Sequence, residues 1–405
     1  MLRLLLVSIL LATPGCASVP APSGGVRPGV EGVMERTPDA LRGRRVGLIT
    51  NQTGVDRAGV TTIDRLAALP GVRLVALFSP EHGIRGAADP GERVASGVDP
   101  RTGLPIHSLY GETRRPTPEM LRGVDALVFD IQDVGARAYT YIYTMALGMQ
   151  AAAEHGIPFV VLDRPNPVGG RAVEGNLLDP AFATFVGMYP IPMRHGMTTG
   201  ELARLFNAKF EIGADLVVVP AEGWRREMLW ERTGLRWIPP SPNLPRPEAT
   251  LHYPGTVFFE GTNLSVGRGT DAPFEQVGAP WLDAAGVAAR MNARRLPGVR
   301  FQAVRFTPRA PGDAKWPDRE VAGVRLVLTD AGGYRPVRAS LLLLDEIRRT
   351  HPAEWQWLVA HFDRLAGTDR LRAAVEADAL PALLEEWDRD AREFERTRAP
   401  YLLYR

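Results

Sequence analysis

The sequence predicts an α/β protein with a Rossmann-like parallel sheet covered by helices on both faces, plus a smaller C-terminal α+β auxiliary domain. Three observations favour this fold. Short runs that are apolar throughout alternate with stretches of helical spacing, as expected for strands buried on both faces. Polar clusters rich in Gly and Pro follow these runs. A proline-dense segment at 239–247 then separates this pattern from a mixture of strands and helices.

The first domain is assigned to residues 41–245. Its predicted strands are short and apolar, and they cover 46–50, 72–78, 124–131, 159–162 and 216–219. Helical spacing predicts helices over 62–69, 139–155 and 201–208. Ligands of open parallel sheets bind beyond the carboxyl ends of the strands, so the polar clusters there are the candidate site. The alternative is that loops are polar in any protein, which explains the clustered Glu, His, Asp, Asn and Arg less well.

The second domain is assigned to residues 246–405 and mixes both kinds of element. Apolar runs predict strands at 257–259, 301–306 and 324–328. Helical spacing predicts helices at 282–293, 339–349 and 383–396.

The N-terminus has the features of an export signal. A basic start precedes an apolar run that is too short to span a membrane, and Cys16, the only cysteine, follows. This order resembles a bacterial lipoprotein cleavage site, although Thr13 stands where such sites prefer Leu. We therefore predict a signal peptide at 1–16, lipidation of Cys16 and a tether at 17–40. The protein is then exported to the periplasm or cell envelope and meets the membrane through its lipid anchor only. The alternative is an incidental cysteine.

Composition and missing motifs exclude several functions. A formal charge of +2 with scattered Arg argues against nucleic acid as a partner. No GxGxxG, P-loop, GxSxG or HExxH string occurs, which argues against dinucleotides, kinases and zinc hydrolases. The seven histidines lack metal-ligand spacing, and a single cysteine cannot form an intrachain disulfide. We predict neither a cofactor nor a metal.

A glutamate follows the second predicted strand, within the string SPEHG. A carboxyl group at such a strand end is partly removed from water, which favours the protonated form that a general acid requires. Glu81 is therefore a candidate acid, although His82 or Arg85 would favour its carboxylate form. The alternative is that Glu81 accepts hydrogen bonds from loop amides and only shapes the turn. The residue types leave both possibilities open.

A second polar string, DIQDVGARAYTY, follows the third strand. Alternation along a strand end places Asp130 and Gln132 on the same side. Asp133 suits a helix cap, Arg137 suits a carboxylate partner, and Tyr139 offers a flat face for a sugar ring. The alternative is an Asp-rich cap beside core tyrosines.

Further polar strings follow the fourth strand and the domain boundary. Asn, Arg and Glu in such loops bind hydroxyl and carboxylate groups, although singly each is more often structural. A helix after 194–198 has Thr198 or Thr199 as its predicted cap. The candidates in these strings are Arg164, Asn166, Glu174, Arg194, His195, Asn243, Glu260, Asn263 and Arg268.

Seven strings, in this order, closely resemble one family. They are SPEHG, FDIQDVGARAYTYI, VLDRPNPVGG, VEGNLL, RHGMTTGEL, PSPN and FEGTNLSVGRGT, and the resemblance runs from about Arg44 to Tyr404. The family is the bacterial exo-acting β-N-acetylmuramidases, a glycoside hydrolase group long known only as a conserved domain of unknown function. The resemblance implies a cleft between the two domains. It also implies release of N-acetylmuramic acid from the non-reducing ends of peptidoglycan-derived saccharides.

By this analogy Glu81 is the catalytic acid. Glycoside hydrolysis usually requires two carboxyl groups, and the candidates for the second are Asp130, Glu174, Asp133 and Glu260. The 2-acetamido group of the substrate is an alternative, because its carbonyl can attack the anomeric carbon itself.

The resemblance also implies contacts to the substrate. The lactyl carboxylate of muramic acid suits the fork of an Arg, with Arg137, Arg164, Arg194 and Arg268 as candidates. The residues expected to bind substrate are His82, Gln132, Asp133, Arg137, Tyr139, Arg164, Asn166, Arg194, His195, Asn243, Glu260, Asn263 and Arg268. Two rival functions are a non-catalytic cell-wall sugar-binding lipoprotein and a nucleotide-dependent sugar transferase.

Overall fold

A computed structural model describes residues 25–86, 88 and 91–405. The strands of the first domain are short and separated by loops or helices. In chain order they are β1 Arg45–Thr50, β2 Arg73–Ser79, β3 Gly97–Val98, β4 Pro105–Ser108, β5 Ala126–Asp130, β6 Phe159–Leu162, β7 Glu174–Leu177, β8 Pro192–Arg194 and β9 Leu216–Val219. The helices are α1 Gly29–Glu35, α2 Thr62–Ala67, α3 Tyr141–Glu154 and α4 Thr199–Lys209.

Seven of these strands form one sheet in the order β3-β4-β2-β1-β5-β6-β9. All neighbours pair in parallel except β3, which runs antiparallel to β4 at one edge. β5 and β6 are buried along their whole length, as apolar central strands require. The predicted Rossmann-like sheet is confirmed, and the carboxyl ends of its parallel strands lie at one edge. β7 and β8 pair separately in a small antiparallel sheet.

The second domain packs helices against a three-stranded antiparallel sheet of order β10-β12-β11. Its elements are α5 Pro247–Thr256, β10 Gln276–Ala279, α6 Ala284–Ala293, β11 Val299–Phe306, β12 Val321–Leu328, α7 Pro336–Thr350, α8 Val359–Ala366, α9 Arg370–Glu376 and α10 Leu380–Arg398. Four short 3-10 helices lie in the loops at Pro180–Phe182, Trp230–Arg232, Val257–Gly261 and Ala399–Tyr401. No helix among the described residues is long and apolar enough to cross a membrane.

Two expectations are corrected. The strand predicted at 257–259 is wrong, because these residues form a fully buried 3-10 helix directly after α5. A short apolar run has the same composition whether it is a buried strand or a buried helical turn. The tether predicted at 17–40 does not extend over α1, because Val26, Val30 and Val33 are buried in the first domain. The signal peptide and Cys16 lie outside the described residues.

The two domains are tied together by buried arginines that bind backbone carbonyls. Arg137, from the loop after β5, donates to the carbonyl oxygens of Asn176 at 2.7 Å and Ala366 at 2.6 Å. In the opposite direction Arg398, at the end of α10, donates to the carbonyl oxygen of Gly196 at 2.6 Å. Each guanidinium therefore crosses from its own domain into the other.

The C-terminal tail is also bound to the first domain. The hydroxyl of Tyr404 donates to Asp163 Oδ2 at 2.6 Å and accepts the N–H of Ala221 at 2.8 Å. Burial raises the pKa of Asp163 to about 6. The tail thus satisfies a buried carboxyl group at the carboxyl end of β6.

We predict that Tyr404→Phe lowers the free energy of unfolding by about 1–3 kcal/mol, because a buried acceptor and a buried N–H lose their partner. Urea denaturation of the two proteins measures the difference. Tyr401→Phe is the matched control, since Tyr401 binds Arg204 through its main-chain carbonyl and its hydroxyl has no hydrogen bond to a described residue. Equal stability of the Tyr404→Phe and Tyr401→Phe proteins would contradict the role given to the tail.

Candidate active site

A cavity of about 130 Å³ lies between the two domains at the carboxyl edge of the sheet. The first domain contributes the loops after β2, β4 and β5, and the second domain contributes residues from the loop after α5 and from α8. The side chains that line it and carry chemistry are Glu81, His82, Tyr110, Tyr139, Thr140, Ser241, Tyr253, Glu260, Arg268 and His361. Five of the residues expected in the site from the sequence line this one cavity, namely Glu81, His82, Tyr139, Glu260 and Arg268.

Glu81 is positioned by the turn that follows β2. His82 and Gly83 both have left-handed backbone conformations, with φ of 69° and 79°, so the chain reverses directly after Glu81. His82 is buried, and its Nδ1 lies 2.8 Å from the carbonyl oxygen of Ala88. The side chain of Glu81 is left partly exposed towards the cavity. A strained residue beside the carboxyl group fixes its direction.

Two donors hold the carboxyl group of Glu81. The hydroxyl of Thr140 donates to Oε2 at 2.6 Å, and the N–H of Gly91 donates to Oε1 at 3.0 Å. Tyr110 is a third neighbour, since burial, followed by the charge of Glu81, raises the pKa of its phenol to about 12. The carboxyl group is therefore oriented by neighbours from three separate loops.

Aromatic rings form one wall of the cavity. Tyr139 packs edge-to-face against Tyr253, with ring centroids 5.8 Å apart, and Tyr253 packs likewise against Phe274 at 4.8 Å. Tyr139 is largely buried, so the ring contributes a packed wall rather than a free stacking platform. An apolar wall facing polar groups is the usual composition of a small-molecule site.

Charged groups of the second domain adjoin the aromatic wall. Arg268 donates from Nε to Glu260 Oε1 at 2.7 Å, and its guanidinium carbon lies 5.1 Å from the ring centroid of Phe274. Lys315 lies behind them and donates to the carbonyl oxygen of Glu260 at 2.9 Å. Burial lowers the pKa of Lys315 to about 8 and also lowers the pKa of His361. Positively and negatively charged side chains therefore lie side by side in this part of the cavity.

The catalytic roles expected for Asp130 and Glu174 are not supported by their positions. Asp130 ends β5 with no exposed surface, and its Oδ2 accepts from Arg164 Nη2 at 2.9 Å, because the neighbouring strand β6 ends beside it. Glu174 is buried in an ion pair with Arg194 at 2.9 Å and accepts the N–H of Val337 at 3.2 Å. Neither carboxylate lines the cavity of Glu81.

Several expected binding residues are likewise structural. Arg137 binds carbonyl oxygens between the domains. Asn166 donates to the carbonyl oxygen of Met197 at 2.8 Å, and Asn263 donates to that of Glu354 at 2.8 Å. Asn243 lies beside the lining residue Leu244 without lining the cavity.

Asp133 and His195 form a buried pair behind the cavity wall. His195 Nε2 lies 3.8 Å from Asp133 Oδ2, which accepts the N–H of Gly135 at 2.7 Å. Burial raises the pKa of Asp133 to about 7 and lowers the pKa of His195 to about 3. Gln132 and Arg164 line a different cavity.

Five lining residues with polar side chains were absent from the predicted site, namely Tyr110, Thr140, Ser241, Tyr253 and His361. Thr140 and Ser241 stand inside the strings AYTY and PSPN, so those strings contained the signal. Tyr110 follows the short strand β4, and His361 lies in α8. No motif marks either residue, and only the tertiary structure brings them to Glu81. Among the described residues no group of His, Cys, Asp and Glu gathers in a way that could hold a metal ion.

The sequence matches two halves of one family along nearly its whole length. Residues 46–248 match "Exo-beta-N-acetylmuramidase NamZ, N-terminal", and residues 251–404 match "Exo-beta-N-acetylmuramidase NamZ, C-terminal". The chain belongs to the exo-β-N-acetylmuramidase NamZ family. This assignment identifies it as a glycosidase, rather than a non-catalytic sugar-binding protein or a nucleotide-dependent sugar transferase.

Individual relatives agree with the family. The chain is 45% identical to the peptidoglycan β-N-acetylmuramidase NamZ of Bacillus subtilis, over 97% of this chain and 95% of that protein. A crystal structure of a DUF1343 family protein from Bacteroides fragilis superposes with a TM-score of 0.88 at 36% identity, covering 95% of this chain and 100% of that one. A second DUF1343 structure from the same organism has a TM-score of 0.76 at 32% identity, over 94% and 99% of the two chains.

Proposed function

We propose that the protein removes N-acetylmuramic acid from the non-reducing ends of peptidoglycan-derived saccharides, with Glu81 as the general acid. The observation that carries the proposal is the position of Glu81 in a small cavity between the domains of a glycosidase fold. Family membership supports muramidase activity, and the relative from Bacillus subtilis is named for action on peptidoglycan.

In this proposal Glu81 gives its proton to the glycosidic oxygen as the bond to the terminal sugar breaks. Thr140 and the N–H of Gly91 then stabilise the carboxylate that remains, because both already donate to it. The hydroxyl of Tyr110 faces the same carboxyl group. The departing sugar alcohol takes the proton, so no metal or cofactor enters the step.

Glu260 is the proposed second carboxyl group. It is the one member of the four candidates that lines the cavity of Glu81, while Asp130, Asp133 and Glu174 are buried elsewhere in the described chain. Its ion pair with Arg268 orients it, as required of a carboxylate that activates water or stabilises a positive anomeric centre. Attack by the 2-acetamido group of the substrate is compatible with the same position, since Glu260 would then stabilise that group.

Arg268 is the proposed partner of the lactyl carboxylate. Of the four arginines considered, Arg137 and Arg194 are bound inside the fold, and Arg164 is paired with Asp130. Arg268 alone among them lines the cavity with Glu81. Its Nε and Nη2 hold Glu260, and the remaining Nη1 is available for a second carboxylate.

The substrate is tested by offering the purified protein a nitrophenyl β-N-acetylmuramide and the matching glucosaminide. We expect cleavage of the muramide with a clear preference over the glucosaminide, because only the former carries the lactyl carboxylate. Cleavage of neither compound, or of the glucosaminide alone, would overturn the proposed function.

The role of Glu81 is tested by Glu81→Gln with two muramides. Loss of a general acid should lower kcat on a natural disaccharide by about 10²–10⁴-fold. The loss on the nitrophenyl muramide should be much smaller, because nitrophenolate departs without a proton. Glu119→Gln, at an exposed surface position, is the matched control. Equal losses on the two substrates would show that Glu81 does not protonate the leaving group.

The role of Arg268 is tested by Arg268→Ala and the ratio of kcat/KM for the muramide to that for the glucosaminide. A buried charge contact is worth roughly 2–5 kcal/mol, so the ratio should fall about thirtyfold or more. Arg246→Ala is the control, because Arg246 also forms an ion pair in the second domain, with Glu275, but does not line the cavity. This variant should leave the ratio unchanged. A purely structural role for Arg268 would lower both rates and preserve their ratio.

We further propose that Cys16 is lipidated and that the protein is an exported lipoprotein of the cell envelope. The short apolar run before the only cysteine supports this. Metabolic labelling with a fatty acid should mark the wild type and not Cys16→Ser, and the variant should move from the membrane fraction to the soluble fraction. Labelling of both proteins would refute lipidation at this residue.

A further inference from the structure

A second cavity, of about 340 Å³, opens at the carboxyl edge of the same sheet. Its wall contains Thr53 from the loop after β1, Gln132 from the loop after β5 and Arg164 from the loop after β6. From β1 the chain first adds β2, β3 and β4 on one side of the sheet. It then adds β5, β6 and β9 on the other side, so the strand order reverses between β1 and β5. Open α/β sheets bind ligands at this switch point. The cavity of Glu81 lies over the β2 and β4 side instead.

The two cavities are separated by the segment 238–241. Ile238 lines the switch-point cavity, and Ser241 lines the cavity of Glu81. The segment is fixed between them, because Gln52 Nε2 donates to the carbonyl oxygen of Pro239 at 2.9 Å and the hydroxyl of Tyr141 donates to that of Pro240 at 2.7 Å. The switch-point cavity is therefore a site of its own, and the proposed hydrolysis does not use it.

Gln132 fixes the inner wall of this cavity. Its Nε2 donates to the carbonyl oxygens of Asp133 and Pro165, each at 2.8 Å, which joins the loops after β5 and β6. Its Oε1 has almost no accessible surface, so the amide is part of the wall and not a contact for a ligand.

Three arginines and one carboxylate line the cavity. Arg57 is paired with Glu31, and Asp56 with Arg65, which leaves Arg164 and Arg236 as the arginines considered for a ligand. Arg164 is 4% exposed and is held by Asp130 through Nε and Nη2, so no hydrogen bond to a described residue occupies its Nη1. Arg236 is exposed at the rim and forms no ion pair with the residues that the structure describes. A guanidinium held in place by a carboxylate on one side is prepared to bind a second anion on the other.

The remaining wall is apolar. Trp230, Leu235 and Ile238 line it, and Trp230 is held by edge-to-face packing against Trp237 with ring centroids 4.9 Å apart. Trp230 is largely buried, so its ring contributes a packed wall, as Tyr139 does in the other cavity. The volume lies within the range of small-molecule sites.

We infer that the switch-point cavity is a second ligand site, for a small anionic ligand whose carboxylate or phosphate meets Arg164 and Arg236. Trp230 lines the same cavity and reports on its occupancy. This site goes beyond the proposed hydrolysis and does not depend on it.

The test uses fluorine NMR on the full chain labelled with fluorotryptophan, with the resonance of Trp230 assigned by Trp230→Phe. The probes are N-acetylmuramic acid, glucose phosphate and the uncharged N-acetylglucosamine. We expect at least one of the anions to shift the Trp230 resonance saturably, whereas N-acetylglucosamine does so much more weakly. Arg236→Glu should weaken binding about tenfold, while Arg300→Glu, on an exposed position of β11, should not.

Which anion shifts the resonance decides between a carboxylate and a phosphate, and either result supports the site. The shift should persist in Arg268→Ala, so that a failure of the muramidase proposal is separable from a failure of this one. Three results would overturn the inference. They are no shift with any probe, an equal response to the uncharged sugar, and the same affinity in Arg236→Glu as in Arg300→Glu.

Discussion

Asp163 holds together four parts of this structure, namely β6, the start of α4, the C-terminal tail and α1. It stands at the end of β6 with no exposure, and it accepts from Thr198 Oγ1, from the N–H of Gly200 and from the hydroxyl of Tyr404. The start of α4 and the C-terminal tail thus converge on one side chain. The backbone of Asp163 also accepts the N–H of Gly29, which attaches α1. Burying a carboxyl group is tolerated only when it is this fully hydrogen-bonded.

The sequence strings that resemble the family have two different positions in the structure. SPEHG and FEGTNLSVGRGT supply the charged groups of the cavity between the domains, Glu81 and the Glu260–Arg268 pair. VLDRPNPVGG and RHGMTTGEL instead build the sheet edge, through Asp163, Arg164 and the capping box of α4 at Thr198. Some strings of the family therefore line the cavity proposed for the sugar, and others hold the edge of the sheet together.

Much of the fold could be predicted, since five strands and their polar carboxyl ends follow from apolar runs alone. The position of Glu81 follows too, because ligands of parallel sheets bind at that edge. The pairing of Asp130 with Arg164 could not be predicted without the strand order, which makes β5 and β6 neighbours. Tyr110 and His361 reach the cavity through loop and helix packing that has no local pattern. The run at 257–259 was ambiguous by composition, and packing after α5 decided its conformation.

The buried cation of Arg137 has a consequence for the modular history of such proteins. Burial lowers its pKa to about 10, and its partners are backbone oxygens contributed by both halves of the chain. Without the second domain, the guanidinium of Arg137 would lose its acceptor at Ala366. Without the first domain, the carbonyl oxygen of Ala366 would lose its donor. Recombination that exchanged one of the halves would have to preserve this contact together with those of Arg398 and Tyr404. The two parts are therefore expected to descend together as one unit.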